Sequence, residues 1–186
     1  MAIFNSVERK LKNGATIKIR SAEPEDSRQL TAYIQNIFRT SKFTITQSDE
    51  FHNDIKKEEA WIQDMKAGDG RILLIALLNE NIVGNIDLNS NSSRQRIRHR
   101  GEFGMSTSEN FRGLGIGRLL LQELITWVKS ENCPIQKVEL GVLSENENAI
   151  KLYNSMGFIK EGIIHKAAKI GPKDYLDEIR MGLFVK

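Results

Sequence analysis

The chain has 186 residues, 40% of them hydrophobic and 27% charged, and its formal net charge at pH 7 is +3. This length suits one packed domain and is short for two. The apolar run Ile72–Leu78 is much shorter than the roughly 20 residues that cross a membrane, and the N-terminus lacks the apolar core of a signal peptide. Cys133 is the single cysteine, so no intrachain disulfide can form. We expect a cytosolic protein in which Cys133 is structural.

The first half of the chain predicts a hairpin, two helices and a second hairpin. Asn13-Gly14 separates two strand-like segments, residues 7–12 and 15–20, and predicts a two-residue turn. A helix is predicted from about residue 24 to 38, and another over 54–65. Strands are then predicted over 72–78 and 82–88 as an antiparallel hairpin, and over 98–107. The apolar residues that predict the buried side of the second helix are Ile55, Trp61, Ile62 and Met65.

The segment Phe111-Arg112-Gly113-Leu114-Gly115-Ile116-Gly117-Arg118 places three glycines before an amphipathic helix predicted over 116–129. Glycines let the backbone N–H groups of a tight turn point one way, and the free amides and dipole of the helix N-terminus also favour an anion. The spacing is neither the G-x-G-x-x-G of dinucleotide folds nor a loop ending in Gly-Lys-Ser/Thr. It indicates a phosphate-binding loop, although a glycine-rich turn that only starts a packed helix would read the same way.

The last part of the chain predicts a strand over 137–143, a helix over 146–156, a strand from Phe158 and a final strand over 177–185. Ala149, Leu152, Tyr153 and Met156 share one face of that helix, and Gly157 stands where a helix needs a left-handed C-terminal residue. From the residues alone, Tyr153 would be a core aromatic with its hydroxyl bonded to the backbone.

Two ordered motifs resemble those of the GNAT family of N-acetyltransferases. Arg112, Gly115 and Gly117 match its R-x-x-G-x-G/A signature, and residues 146–158 match its N-x-x-A-x-x-L-Y-x-x-x-G-F segment. The resemblance implies an α/β fold with a central mixed, mostly antiparallel sheet of about seven strands flanked by helices. The family domain would span residues 15–186, after an extra N-terminal hairpin strand in residues 1–14. The local motifs are most similar to those of ribosomal-protein alanine and spermidine acetyltransferases.

The resemblance also implies a binding site for acetyl-coenzyme A. Tyr153 would lie beside the thioester sulfur and protonate the departing thiolate. The strand before the glycine loop would bulge and diverge from the strand after the phosphate helix, so that backbone groups at Met105 and Thr107 hold pantetheine, as would the side chain of Asn146. The backbone of the loop would hold the pyrophosphate through Arg112, Gly113, Leu114, Gly115, Ile116, Gly117 and Arg118.

The acceptor and the base are less specified. Gly101-Glu102-Phe103-Gly104 resembles the segment in which spermidine acetyltransferases carry a glutamate facing the acceptor, so Glu102 is one candidate base and a water chain is another. Glu102 could equally be a surface carboxylate paired with an arginine. Tyr175 and Asp177 resemble a turn that shapes acceptor access. We expect a primary amine as acceptor, either a small polyamine-like amine or a protein N-terminus, acetylated directly in a ternary complex. Amino acids, aminoglycosides and other small amines are the alternative acceptors.

Other features leave alternatives open. Arg94, Arg96, Arg98 and Arg100 alternate, and on a strand they would line one face. We interpret that face as a solvent-exposed edge of the sheet. The alternatives are a binding site for the coenzyme A 3′-phosphate and a nucleic-acid-binding surface, and the latter is disfavoured because no aromatic residues lie between the arginines to stack on bases. His52, His99 and His165 stand apart, so no metal is expected, and His165 reads as an ordinary strand histidine. A non-catalytic coenzyme A-binding module is the alternative to an enzyme, and an edge strand would allow a homodimer.

Overall fold

The computed structural model describes residues 4–90 and 94–186. In these residues eight strands form one sheet, and four helices pack on it. The helices are α1 (Ser27–Thr40), α2 (Ile55–Ala67), α3 (Ile116–Val128) and α4 (Glu147–Ser155), with short 3₁₀ turns at Pro24–Asp26 and Glu109–Phe111. The strands are β1 (Val7–Lys10), β2 (Thr16–Ser21), β3 (Ile72–Leu78), β4 (Asn81–Ser90), β5 (Arg100–Thr107), β6 (Lys137–Leu143), β7 (Ile159–Lys169) and β8 (Tyr175–Phe184).

The sheet confirms the predicted fold class. Its strand order is β1-β2-β3-β4-β5-β6-β8-β7, and the β5–β6 pair is parallel while the other pairs are antiparallel. The parallel pair follows from α3, because a helical crossover returns the chain in the same direction. β1 pairs with β2 at one edge, as the N-terminal hairpin predicted. Residues 1–3 of the predicted extension lie outside the described residues.

The turn of the N-terminal hairpin differs from the two-residue turn predicted from Asn13-Gly14. The amide of Leu11 donates to the carbonyl of Ala15 (2.8 Å) and that of Gly14 to the carbonyl of Leu11 (3.0 Å), which leaves a three-residue loop from Lys12 to Gly14. Gly14 takes a left-handed φ of 86°. This is the three-residue hairpin loop that ends in a left-handed residue, and Asn-Gly satisfies it as well as the shorter turn.

Two apolar clusters cover the two faces of the sheet. On one face α3 packs through Leu120, Leu121 and Leu124. On the other, α1 and α2 contribute Leu30, Tyr33, Ile37, Ile62 and Met65. β3 lies between the clusters, which explains why its apolar residues run without alternation. Of the residues predicted for the buried side of α2, Ile62 and Met65 are buried, whereas Ile55 and Trp61 are only half-buried.

The sheet opens between β5 and β6. These strands pair only from Arg100–Lys137 to Glu102–Glu139, so β5 has no partner on this side from Phe103 onward. The divergence of the two strands was predicted, but a bulge in β5 was not found. The register between β4 and β5 is regular from Gly84–Thr107 to Ser90–Gly101. The bulge lies instead in β4, where Val83 falls between the pairs Ala76–Gly84 and Leu77–Ile82.

Three of the four alternating arginines, Arg94, Arg96 and Arg98, do not lie along a strand, so their predicted placement on one strand face was wrong, although all three are exposed to solvent. Residues 94–99 form turns in which the amides of Ile97 and Arg98 donate to the carbonyl of Arg94. Of the four arginines, only Arg100 is in β5, where its guanidinium is paired with the buried carboxylate of Glu139 (2.6 Å). Because these local hydrogen bonds hold the backbone in turns, the segment does not form a strand. Its side chains therefore do not alternate between two faces, as a basic face made of every second residue would require. No helix in the described ranges is long and apolar enough to span a membrane.

Candidate active site

A cavity of about 650 Å³ lies where the sheet opens. Its walls come from β5, the glycine loop, the start of α3, α4, and the chain at the end of α1. The lining residues predicted from the sequence are Met105, Thr107, Arg112, Gly113, Gly115, Ile116, Gly117, Arg118, Asn146 and Tyr153. Lining residues that were not predicted include Lys12, Ile37, Ser41, Phe43, Thr44 and Ser106. The two motifs therefore meet in one cavity, whereas the residues beyond them come from segments without a recognisable pattern.

The glycine loop has the form of an anion cradle. Gly113 and Gly115 have left-handed φ values of 79° and 97°, and Gly115 is the N-cap of α3. A Cβ on Gly113 would meet no atom within 4 Å, so the loop faces open space. The first amides of α3 have no intrahelical partners and direct the positive end of the helix dipole here. The loop geometry is that of an anion-binding helix N-terminus.

The side chains around this loop mostly stabilise the protein itself. Arg112 lies 3.7 Å from the carboxylate of Glu109, and Arg118 donates to the Ser155 hydroxyl (2.6 Å), which ties α3 to α4. Leu114 does not line the cavity: it packs against the core, and its carbonyl accepts a hydrogen bond from the amide of Lys12 (3.2 Å). Leu114 therefore shapes the loop from behind.

Tyr153 lines the cavity. It is buried, and its ring meets those of Phe103 and Phe158 at centroid distances of 5.7 and 5.9 Å. Tyr153 belongs to the buried core, as the residues alone suggested, but its hydroxyl has no hydrogen-bond partner among the described residues. Burial raises the pKa of Tyr153 to about 12. Tyr153 is therefore a lining residue whose hydroxyl is protonated at neutral pH.

Asn146 combines two roles in one side chain. It is the N-cap of α4, and its Oδ1 accepts the amide N–H of Ala149 (3.3 Å). Such a cap satisfies one of the free amides at the start of a helix. The Nδ2 group of the same residue has no partner in residues 4–90 and 94–186, and Asn146 lines the cavity. Capping therefore fixes the side chain and leaves its donor available to a ligand.

The unpaired side of β5 forms the opposite wall. Met105 and Thr107 line the cavity, and a Cβ on Gly117 would lie 3.4 Å from the Met105 methyl group and 3.6 Å from the Thr107 hydroxyl. Because β6 has diverged here, backbone groups of β5 on this side lack a strand partner. Unpaired backbone donors and acceptors are groups that an extended amide chain can satisfy.

The other face of the sheet at this point is polar, and we call it the acceptor face: Asn85, Asp87, Glu102 and Ser106. Ser106 donates to Asn85 Oδ1 and is bonded to the Tyr33 hydroxyl of α1 (2.8 Å), which places this face beneath α1. Glu102 does not line the cavity. Its exposed carboxylate is paired with Arg180 (2.7 Å), which also contacts Glu178. The arginine partner considered from the sequence is therefore present.

Asp87 is a half-buried carboxylate that the sequence analysis missed. It stands between Leu73 and Gly104 in the sheet, and Asn89 Nδ2 donates to it (2.9 Å). No cation pairs with it in the described part of the chain. Burial therefore raises the pKa of Asp87 from an ordinary 3.8 to about 6. A lone aspartate in a strand gives no sequence signal for this environment.

We expect Asp87→Asn to stabilise the protein above pH 6. Because the pKa of Asp87 is higher in the folded than in the unfolded state, a proton on Asp87 stabilises the folded protein. This contribution to the free energy of unfolding is complete below about pH 4 and is lost as the pH rises to 6. The neutral amide keeps the bond from Asn89 and should gain at most ~3 kcal/mol at pH 7.5. Urea unfolding at pH 4.5 and 7.5 measures this, with the exposed Asp49→Asn as control. A variant no more stable than the wild type at pH 7.5 would contradict it.

The histidines lie away from the cavity walls. His165, exposed on β7, contacts Asp177 Oδ2 through Nδ1 (2.9 Å), and Tyr175 lies in the same hairpin, where Lys166 approaches its ring. A second, shallow depression here includes Tyr175 and Asp177, so these residues do not line the main cavity. Across the described residues, no group of three or more His, Cys, Asp or Glu side chains could hold a metal ion.

The structure thus combines a mixed sheet that opens between two parallel strands with a glycine loop and a buried tyrosine that line the same cavity. Residues 31–158 match the model of the Acetyltransferase (GNAT) family. The chain therefore belongs to this family, and the predicted activity class, an acetyl-CoA-dependent N-acetyltransferase, is confirmed.

Known proteins of this class share the fold over most of the chain. An acetyltransferase of the GNAT family from Streptococcus pneumoniae is 28% identical, with a TM-score of 0.86 over 91% of this chain and 99% of that one. A putative acetyltransferase from Salmonella typhimurium, solved with its cofactor acetyl-CoA, has a TM-score of 0.79 at 22% identity, covering 91% and 94%. The L-amino acid N-acetyltransferase AaaT of Escherichia coli is 26% identical over 67% of this chain and 75% of its own.

Proposed function

We propose that this protein transfers the acetyl group of acetyl-CoA directly to a primary amine, a small polyamine-like amine or a protein N-terminus, in a ternary complex. The observation that carries the proposal is the open sheet between β5 and β6, with the glycine cradle and the Tyr153 hydroxyl in one cavity. An opening through the sheet lets a donor enter from the α3–α4 side and an acceptor from the α1–α2 side. Two substrates held at once need no covalent enzyme intermediate.

The residues around the cavity suit the parts of acetyl-CoA. The amides of Gly113, Gly115 and Ile116 would hold the diphosphate. The unpaired backbone at Met105 and Thr107 and the Asn146 amide would hold pantetheine. Bound acetyl-CoA supplies a reactive acetyl thioester. A backbone N–H of β5 directed at the acetyl carbonyl would stabilise the negative charge that develops there.

Tyr153 is the proposed proton donor to the departing sulfur. Its hydroxyl has no competing partner in the described residues and remains protonated, since burial raises its pKa to about 12. Its ring is held by Phe103 and Phe158. An aromatic ring packed against two others keeps the hydroxyl in place while a ligand binds, which general acid catalysis requires.

The acceptor must lose a proton before it attacks, because an ordinary amine is protonated at neutral pH. The acceptor face offers two carboxylates. Before it could accept a proton, the Glu102 carboxylate would have to weaken or break its ion pair with Arg180. Asp87 is free of cations in the described residues, and burial places its pKa near 6, close to the working range of a general base. We propose that one of these carboxylates, directly or through a water, takes the proton.

The same carboxylates favour a cationic acceptor. Asp87 and Glu102 lie on neighbouring strands of the acceptor face and would attract an ammonium group. The Escherichia coli relative is named for L-amino acids, which also present a primary amine. Both observations support an amine acceptor, and the panel that tests it should therefore include amino acids with the polyamines and peptides.

The direct test is acetyl-CoA-dependent thiol release with polyamines, L-amino acids and N-terminal peptides, compared with Glu102→Gln and Asp87→Asn. Turnover with one acceptor group would name the substrate class. The variant with the larger loss of kcat and an altered acid limb of the pH profile would identify the base. Binding of acetyl-CoA without turnover on any amine would contradict the proposed acceptor class, and the absence of binding would contradict the proposed cofactor site.

A further inference from the structure

The N-terminal hairpin reaches the acetyl-CoA cavity. Its loop contributes Lys12, which lines the cavity although it lies about 100 residues before the glycine loop in the sequence. The carbon chain of Lys12 runs past Gly115: a Cβ on that glycine would lie 3.9 Å from both Lys12 Cγ and Lys12 Cε. The lysine side chain thus extends along the anion cradle.

The hairpin is held in this position by two contacts. The Lys12 amide donates to the carbonyl of Leu114 in the glycine loop (3.2 Å). Arg9 of β1 donates through Nε to the buried carboxylate of Glu123 on α3 (2.7 Å). These contacts fix the hairpin to the loop and to the helix that follows it, so the position of Lys12 relative to the cradle is set by the fold and not by a free tail.

Lys12 also differs from the other cations around the cavity. Arg112 is near Glu109, Arg118 is bonded to Ser155, and Lys151 is paired with Glu147 (2.9 Å). In the residues that the structure describes, the Lys12 ammonium has neither a carboxylate nor any other hydrogen-bonding partner. An unpaired ammonium group beside the free backbone amides at a helix N-terminus raises the positive electrostatic potential where a phosphate would bind.

We propose that Lys12 binds a phosphate group of coenzyme A, so that the N-terminal hairpin forms part of the cofactor site. This inference rests on the proposed function. The amides of the glycine loop would recognise a phosphate through hydrogen bonds, and Lys12, whose side chain runs beside Gly115, would add a full positive charge. The 3′-phosphate and the diphosphate present the same chemistry to an ammonium group, and analogues that lack one or both distinguish them.

The test measures binding by calorimetry for Lys12→Met, with Lys12→Arg as the conservative variant and Lys10→Met as the control. Lys10 is exposed on the same hairpin and does not line the cavity. We expect Lys12→Met to raise the Kd for acetyl-CoA about tenfold, since hydrogen bonds to charged groups contribute this much or more. Lys12→Arg should retain most of the affinity, and Lys10→Met should match the wild type.

Two analogues locate the phosphate. Equal losses for acetyl-CoA and its dephospho form, which lacks the 3′-phosphate, would assign Lys12 to the diphosphate, whereas a loss confined to acetyl-CoA would assign it to the 3′-phosphate. Equal effects of Lys12→Met and Lys10→Met would overturn the inference, as would an equal loss for S-acetylpantetheine, which has no phosphate. If the wild-type protein binds acetyl-CoA and Lys12→Met binds it equally well, only the Lys12 proposal fails. If the wild-type protein does not bind acetyl-CoA, the proposed function itself fails.

Discussion

Replacement of Tyr153 by phenylalanine is expected to lower kcat by ~100-fold or more while the Kd for acetyl-CoA stays within about twofold of the wild type. General acid catalysis contributes at least this factor when the donor is well placed. The ring would keep its contacts with Phe103 and Phe158, so the fold and the cavity wall should be preserved. Because burial raises the pKa of the Tyr153 hydroxyl to about 12, its ionisation should not appear in the pH–rate profile below pH 10.

Steady-state kinetics and equilibrium binding measure this, and Tyr175→Phe is the matched control. The Tyr175→Phe variant also loses a tyrosine hydroxyl, but Tyr175 lies on the β7–β8 hairpin outside the main cavity. An equal drop in kcat for the two variants would show that the effect is not specific to the proposed donor. A Tyr153→Phe enzyme with normal kcat would remove Tyr153 from proton transfer and leave that step to solvent.

Replacement of Gly115 by alanine is expected to raise the Kd for acetyl-CoA by tenfold or more. Gly115 has a φ of 97° and caps α3 at the centre of the cradle. A Cβ disfavours this left-handed conformation by ~1 kcal/mol and would stand on the surface that the diphosphate is proposed to approach. If the loop shifts to relieve the strain, its amides no longer point together, so affinity falls by either route.

The control for backbone strain is Gly157→Ala. Gly157 follows α4 with a φ of 91°, and a Cβ there would meet Leu183 Cδ1 at an ordinary 3.6 Å. Both variants should lose similar stability in thermal unfolding, whereas only Gly115→Ala should lose affinity in calorimetry. Parallel losses of affinity would mean that strain in the fold, and not the cradle, controls binding.

The motifs in the second half of the chain predicted their structure well because their signals are local. Helical spacing placed α3 from Ile116 and α4 near residues 146–156, and the strand over 137–143 was placed correctly. The sequence-based predictions failed where the same residues suit two different backbone conformations. Asn13-Gly14 suits a two-residue turn and a longer loop equally, and arginines alternate in a turn as readily as in a strand.

The sequence by itself determined the helices around the site and the glycine cradle, because backbone conformation and helix faces depend on neighbouring residues, and its two motifs implied the fold class through their resemblance to a family. Only the tertiary structure decided which distant side chains share the site. Lys12 reaches the cradle because β1 and its loop pack on α3, and Asp87 acquires a pKa near 6 because the sheet buries it without a cation. Burial and charge pairing are set by residues far apart in the chain, so no local pattern encodes them.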